Sequence, residues 1–386
     1  MAAAASIPIP SMDHRLIPLL AKLGLSTLPE SDEVLNAAYK KSLRKHPADV
    51  DALRRAVEIL KTSESRAKYC SELAPMPARP TPLAIGARTF AIDSDGRPGH
   101  GTVPAHASAS TQGRRLSMED ASSCGEALGD AHIFAVFDGH GGARAAKLLA
   151  RQLPGALQKA HDAKRAGEHD GGLILAASAA RDAFADIDGR ILSQGWDDGS
   201  CACVALLSSS GRRLQLLQVG DCNAMIVSRD TAGAPTLLCR SHRPTEAAEA
   251  ARLQAAGTLI SATGRIGGLA VCRAFGDREL KESLPSGSLI SEPEVSAHAL
   301  SPVDALLILG CDGLWDYCDT ESAAAIVHAA LPALAADPTG RPTEGELAAT
   351  ARALVNAALD RGSDDNVSVI VVDVTRPAQL GVTDIS

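Results

Sequence analysis

The sequence predicts a domain of mixed α and β structure, preceded by a small helical domain. Three observations predict it. From about Arg88 onward, short apolar runs alternate with Gly-rich turns and two Ala-rich helical zones. Between Asp13 and Leu73, apolar residues recur at helical spacing. A Pro-rich stretch with Pro75, Pro77, Pro80 and Pro82 joins the two parts. At 386 residues the chain has room for one large domain and a small one. Aromatic residues make up 3% of the chain against 45% hydrophobic, so the core has to be built from Ala, Leu, Val and Ile.

Composition narrows the function classes. The net charge of −8 argues against nucleic acid or an anionic membrane as the main partner. No apolar run approaches the roughly 20 residues of a membrane span, and Met1–Pro10 lacks the basic start of a secretory signal. Nine cysteines are scattered without a Cys-x-x-Cys pair. Cys201 and Cys203 fall on the same face of a strand, a poor zinc arrangement. We therefore expect reduced thiols in an intracellular protein, cytoplasmic and/or nuclear.

In the N-terminal domain, expected over residues 13–73, Leu16, Leu19, Leu20 and Leu23 share a helix face. Ser31 caps a second helix, whose Leu35, Tyr39 and Leu43 are apolar and whose Lys40, Lys41, Arg44 and Lys45 are basic. His46-Pro47 breaks it. A third helix follows with Leu53, Val57 and Leu60 on its buried side. From Leu16 to Tyr69 this resembles the J-domain of Hsp70 cochaperones, which implies an Hsp70-type partner. The J-domain loop reads His-Pro-Asp, whereas this chain has His46-Pro47-Ala48, with Asp49 one place late. A linker is expected over 74–87 and the large domain over 88–376. Residues 93–110 and 161–172 are polar or Gly-rich and read as loops.

The large domain is organised around Ile133–Phe137, a buried strand that runs into Asp138-Gly139-His140-Gly141-Gly142. A buried acid needs its charge compensated, and neighbouring glycines let backbone approach a ligand. Asp138 is thus a candidate for a metal or phosphate site. The other reading is a cap on the Ala-rich helix from about Ala143 to Leu153. Four further segments couple an apolar strand to an acid: Arg114–Asp120, Leu214–Asp221, Ala305–Asp316, and Gly362–Asn366 before the strand Val367–Val374. Carboxylates gathered at the ends of neighbouring strands repel one another and need cations. Oxygen-only ligands select hard divalent ions, Mg²⁺ or Mn²⁺.

Arg115-x-x-x-Glu119-Asp120, Phe137-Asp138-Gly139-His140-Gly141-Gly142, Gly199-Ser200-x-Ala202, Val219-Gly220-Asp221, Ser241-His242-Arg243-Pro244, Leu269-Ala270-Val271-x-Arg273-Ala274-Phe275-Gly276-Asp277, Cys311-Asp312-Gly313-Leu314-Trp315-Asp316 and Asp365-Asn366-Val367-Ser368-Val369-Ile370 occur in one order. This set resembles the type 2C metal-dependent protein serine/threonine phosphatases. The resemblance implies an α+β fold: a sandwich of two antiparallel sheets flanked by helices, with the metal site at one end. It implies that Asp138 bridges two metals, that Gly139 gives its carbonyl, and that Asp312 and Asp365 are the other direct ligands. Glu119 and Asp120 would hold metal-bound waters, and Asp221 would serve a third, weaker metal position shared with Asp312. Arg115 would grip the substrate phosphate and His140 act as general acid. Hydroxide shared by the metals would attack phosphorus directly, on phosphoserine and phosphothreonine proteins. We expect a monomer. A different class of function is a catalytically silent relative, acting as a phosphoprotein-binding or chaperone-linked adaptor through residues 13–73. Cys201, Ser241, Arg243, Cys272 and a short turn at 265–269 depart from the family's usual pattern, and Ser241 and the short turn lie around the segment that forms the family's substrate-side flap. Oxidation of Cys222 or Cys311, which adjoin Asp221 and Asp312, is a candidate for loosening metal binding. Arg114-Arg115-Leu116-Ser117 also resembles a basophilic kinase site, discounted because the segment reads as strand.

Overall fold

A computed structural model describes residues 103–375, apart from 165–172, 212, 230–234, 236, 333 and 335–339. The helical domain expected over 13–73, the linker over 74–87 and the outer ends of the large domain lie outside the described residues.

The runs that look uniformly apolar in sequence are strands covered on both faces. Four strands form one antiparallel sheet in the order β1 (His106–Thr111), β10 (Val367–Asp373), β9 (Asp304–Gly310), β6 (Asn223–Ser228). The second sheet has the order β2 (Ala121–Leu128), β3 (Ala131–His140), β4 (Gly199–Ser208), β5 (Arg213–Val219), β8 (Glu294–Ala299), with β7 (Phe275–Gly276) beside the start of β4. The helices, in chain order, are α1 (Arg144–Lys164), α2 (Ala177–Ser193), α3 (Ala247–Ala255), α4 (Arg278–Ser283), α5 (Asp312–Trp315), α6 (Thr320–Ala330) and α7 (Glu344–Asp360).

Alternate residues of each strand serve two different cores. On β3, Ile133, Ala135 and Phe137 pack with Leu149 of α1 and Phe184 of α2. Phe134 and Val136 point the other way, into a layer shared with Leu307, Leu309, Ile370 and Val372 of the opposite sheet. The next residues of β9 and β10, among them Ile308 and Val369, face Val327 of α6 and Leu354 of α7. The result is helix, sheet, sheet, helix, as the resemblance implied. Cys201 and Cys203 do share a face, the one between the sheets. No helix among the described residues is long and apolar enough to cross a membrane.

Three local expectations are corrected. Residues 106–111 are strand rather than loop, because they pair along β10 from His106↔Val372 to Thr111↔Val367. The loop expected from His161 begins later, since α1 continues to Lys164. The segment Arg114–Ser117 is an exposed turn, with Leu116 90% exposed, and β2 begins only after the acid, at Ala121. Its backbone is held by side chains instead of a ladder, with Gln112 Nε2 donating to the Arg115 carbonyl at 2.8 Å. Asn366 Nδ2 donates to the carbonyls of Gln112 (2.8 Å) and Ser117 (3.0 Å), and Asn366 Oδ1 accepts from the Glu119 N–H (2.8 Å). The ground for discounting the Arg-Arg-Leu-Ser segment therefore falls, although the segment is pinned at both ends.

Phe134 is fully buried between the sheets. Phe134→Ala should lower unfolding free energy by about 3–5 kcal/mol, measured by urea denaturation.

Candidate metal centre

Acids from both sheets meet at one end of the sandwich. Asp138 lies near the end of β3, Asp312 opens α5 just after β9, Asp221 sits in the turn between β5 and β6, Asp365 directly precedes β10, and Asp120 directly precedes β2. Ligand atoms of Asp138, Asp221 and Asp312 all lie within 4.8 Å of one another, as do those of Asp120, Asp138 and Cys311. Asp365 is offset from these two groups but adds to the potential felt by Asp312 and Asp120.

The helix-cap reading of Asp138 fails. The N-terminus of α1 is capped by Asp198, whose Oδ2 accepts from the N–H groups of Arg144 (2.8 Å) and Ala145 (3.1 Å). Arg144 also pairs with Asp198 through its guanidinium (2.8 Å). Asp138 is left to the acidic cluster.

Close approach is bought with glycine at the points where the resemblance puts one. A Cβ at Gly139 would run into the Glu119 carbonyl, and one at Gly313 would run into the Asn366 carbonyl. Any side chain at either position would push apart the loops that carry Glu119, Asp312 and Asp365.

Electrostatics reveal what the cluster lacks. Burial, then the charges of Asp312, Asp120 and Asp221, hold the Asp138 carboxyl well above its ordinary range. Burial and the charges of Asp221 and Asp365 push Asp312 up to about 7. Asp120 rises to about 6, mainly through burial, with Ser368 and Cys311 beside it moderating the rise. Both oxygens of Asp120 are buried and make no hydrogen bond. Orphaned buried carboxylate oxygens among mutually repelling acids fit a divalent cation with an oxygen-rich shell. The neighbouring thiols of Cys201, Cys222 and Cys311 are pushed far up, first by burial and then by the acids. That keeps them protonated and poorly reactive, against an oxidation-sensitive role.

Other expected residues are placed as follows. Arg115, with a side chain 56% exposed, donates from Nη2 to Asp365 Oδ2 at 2.6 Å. Glu119 accepts from Ser117 Oγ (2.8 Å) and from the Gly142 N–H (3.3 Å), beside the cluster rather than in it. His140 makes its hydrogen bond through Nε2 to Asp277 Oδ2 at 2.8 Å. Burial would lower the His140 pKa, but the bond and charge of Asp277 outweigh it and hold the imidazole above its ordinary value.

Sequence reasoning assigned no role to Asp277, although it closes the Phe275-Gly276-Asp277 motif. It is 3% exposed, and its φ of 53° makes it the one non-glycine residue with positive φ among the described residues. Gly199 makes room for the pair, since a Cβ there would strike both the Asp277 carboxylate and the His140 ring. The contacts of Arg243 with Asp221 and Asp316 were also not foreseen. Residues of the flap meet in a tight turn, in which Ile266 and Leu269 bridge across Gly267 and Gly268, both at positive φ.

Comparison with known proteins agrees with this architecture. A sequence model of the family described as Protein phosphatase 2C matches residues 105–367. The chain is 36% identical over 277 residues to a probable protein phosphatase 2C 69 of Arabidopsis thaliana, covering 68% of each. It is 38% identical over 273 residues to a probable protein phosphatase 1N of Homo sapiens, covering 68% of this chain and 59% of the relative. Among solved structures, a phosphatase from a pathogenic strain of Toxoplasma gondii superposes with a TM-score of 0.57 at 22% identity, over 70% of this chain and 93% of that one.

The raised acids make stability depend on pH when no cation is bound. Asp120 and Asp312 titrate near 6 and 7 when folded, against 3.8 ordinarily. The folded state therefore holds more protons, and its stability is full below about pH 4 and is lost as pH rises through 6 to 7. The melting temperature of EDTA-treated protein should fall from pH 5 to pH 8, and saturating Mg²⁺ or Mn²⁺ should abolish that fall. Calorimetry across this range is the check.

Proposed function

Because the chain belongs to the protein phosphatase 2C family, we propose how this metal-dependent protein serine/threonine phosphatase works: two Mg²⁺ or Mn²⁺ ions at the acidic end serve direct hydrolysis of phosphoserine and phosphothreonine. The observation that carries this reading is the convergence of Asp120, Asp138, Asp221 and Asp312 from four separate segments into overlapping ligand groups.

Asp138, common to both groups, would be shared between the two ions. Asp312, Asp365 and the Gly139 carbonyl would hold the ions directly, and Glu119 and Asp120 would hold their waters. When bound, the ions acidify a shared water toward neutrality, supplying the attacking oxygen, and offset charge on the phosphoryl group. Arg115 is exposed at the rim, and its planar fork can turn from Asp365 to a substrate phosphate. No covalent enzyme intermediate is needed, and the described site presents no activated side-chain nucleophile: its thiols are buried and held protonated.

His140 donates a proton to the departing seryl or threonyl oxygen. Asp277 holds the ring through Nε2, which fixes its rotation and favours the protonated form. The adaptor reading calls for a missing bridging acid, and Asp138, Asp312 and Asp365 are all present.

On a phosphothreonine peptide, activity should require added Mn²⁺ or Mg²⁺ and vanish in EDTA. Asp312→Asn should lower kcat by roughly a hundredfold or more. Turnover that survives chelation would sink the metal mechanism. Asp277→Asn should lower kcat on the same peptide by about 10²-fold. It should change p-nitrophenyl phosphate hydrolysis far less, because nitrophenolate leaves without a proton. An equal loss on both substrates would give Asp277 a structural role only.

A further inference from the structure

The outer flank of the acidic cluster already holds a cation, and it belongs to the chain. Arg243 Nε donates to Asp221 Oδ2 at 3.1 Å, and Arg243 Nη2 donates to both oxygens of Asp316, at 2.7 and 2.9 Å. Asp221 is buried, and its other oxygen faces the Cys201 thiol at 3.5 Å. One guanidinium thus spans two carboxylates through different nitrogens, which the single charged atom of a lysine cannot do with the same geometry.

The arginine is also held in place by its neighbours. His242, 1% exposed, donates its backbone N–H to the Gly220 carbonyl (2.9 Å), and its Nδ1 accepts from the Gly220 N–H (3.1 Å). The Cys272 N–H donates to the His242 carbonyl at 2.9 Å. Segment 241–243 is therefore stitched to the turn that carries Asp221. The guanidinium reaches Asp221 and Asp316 from a fixed base rather than from a free surface loop.

We propose that Arg243 is a built-in counter-cation that takes the place of a third divalent ion at Asp221 and Asp316, so that this protein binds two ions and not three. The inference rests on the metal-centre reading above. It sets aside the third, weaker position expected at Asp221. A divalent ion arriving there meets a fixed positive charge, and the carboxylate oxygens it needs are already donated to. The two ions centred on Asp138 would keep Asp138 and Asp312, because the hydrogen bonds and ion pairs of Arg243 among the described residues go to Asp221 and Asp316.

Metal counting tests it directly. Metal-free protein dialysed against Mn²⁺ and assayed by elemental analysis should hold two Mn²⁺ per chain. Arg243→Met should hold three, and Arg243→Met combined with Asp316→Asn should return to two. Should Arg243→Met fail to fold by circular dichroism, Arg243→Lys carries the test, because an ammonium leaves carboxylate oxygens free and should admit a third, weaker ion. Three ions on the unaltered protein, or two on a folded Arg243→Met or Arg243→Lys, overturns the proposal. Fewer than two on the unaltered protein overturns the metal-centre reading itself, a distinguishable result.

Discussion

Mutual repulsion of buried carboxylates is the constraint on which the rest of this structure depends. Asp120, Asp138, Asp221 and Asp312 would separate if the chain let them. They stay together because each is attached to a strand end or turn, and the strands are fixed by packing on both faces. The same pressure organises the surroundings. Arg115 lies on Asp365, Arg243 on Asp221 and Asp316, and Arg144 on Asp198. The acids facing inward have no such internal partner, and theirs are the carboxyls pushed furthest from their ordinary values. The protein's own arginines compensate charge at the rim, and the acids at the centre are grouped as a metal ion would need them.

Holding these charges close also demands tight backbone. Asn366 ties the Arg115 loop to the entry of β10, which keeps Arg115 beside Asp365. Gly139 and Gly313 let neighbouring carbonyls pass where a Cβ would collide. The site is a junction of short loops, and the stability of the sandwich is what holds their geometry.

His140 and Asp277 show a second use of a buried charge. Asp277 is nearly inaccessible and sits in the left-handed region, and its partner is a histidine next to the metal ligands. The pair holds an imidazole of raised pKa beside an acidic cluster without joining it. Thiols in the same neighbourhood are driven the opposite way, toward the inert protonated form. Burial disfavours charge in both cases; at the thiols the acids reinforce it, and at His140 the bond and charge of Asp277 outweigh it.

The acids that the fold gathers were legible in the sequence because local pattern signals them: an apolar run, an acid, a glycine. The mixed α and β class was equally legible, since periodicity is local. Arg114–Ser117 misled, because an apolar residue next to an acid looks the same in an exposed turn as at a strand end. The cap on α1 was invisible for a different reason. Asp198 lies more than fifty residues from the helix N-terminus it caps, and only the start of β4 brings it there. The pairings of His140 with Asp277 and of Arg243 with Asp221 and Asp316 likewise span long separations. By itself the sequence determined which groups could bind metal and which strands would be buried, because residue type and spacing decide those. Which acid is left for the metals, which is spent on a helix and which is already answered by an arginine was decided by the tertiary structure alone, because charge pairing depends on distance in space and not along the chain.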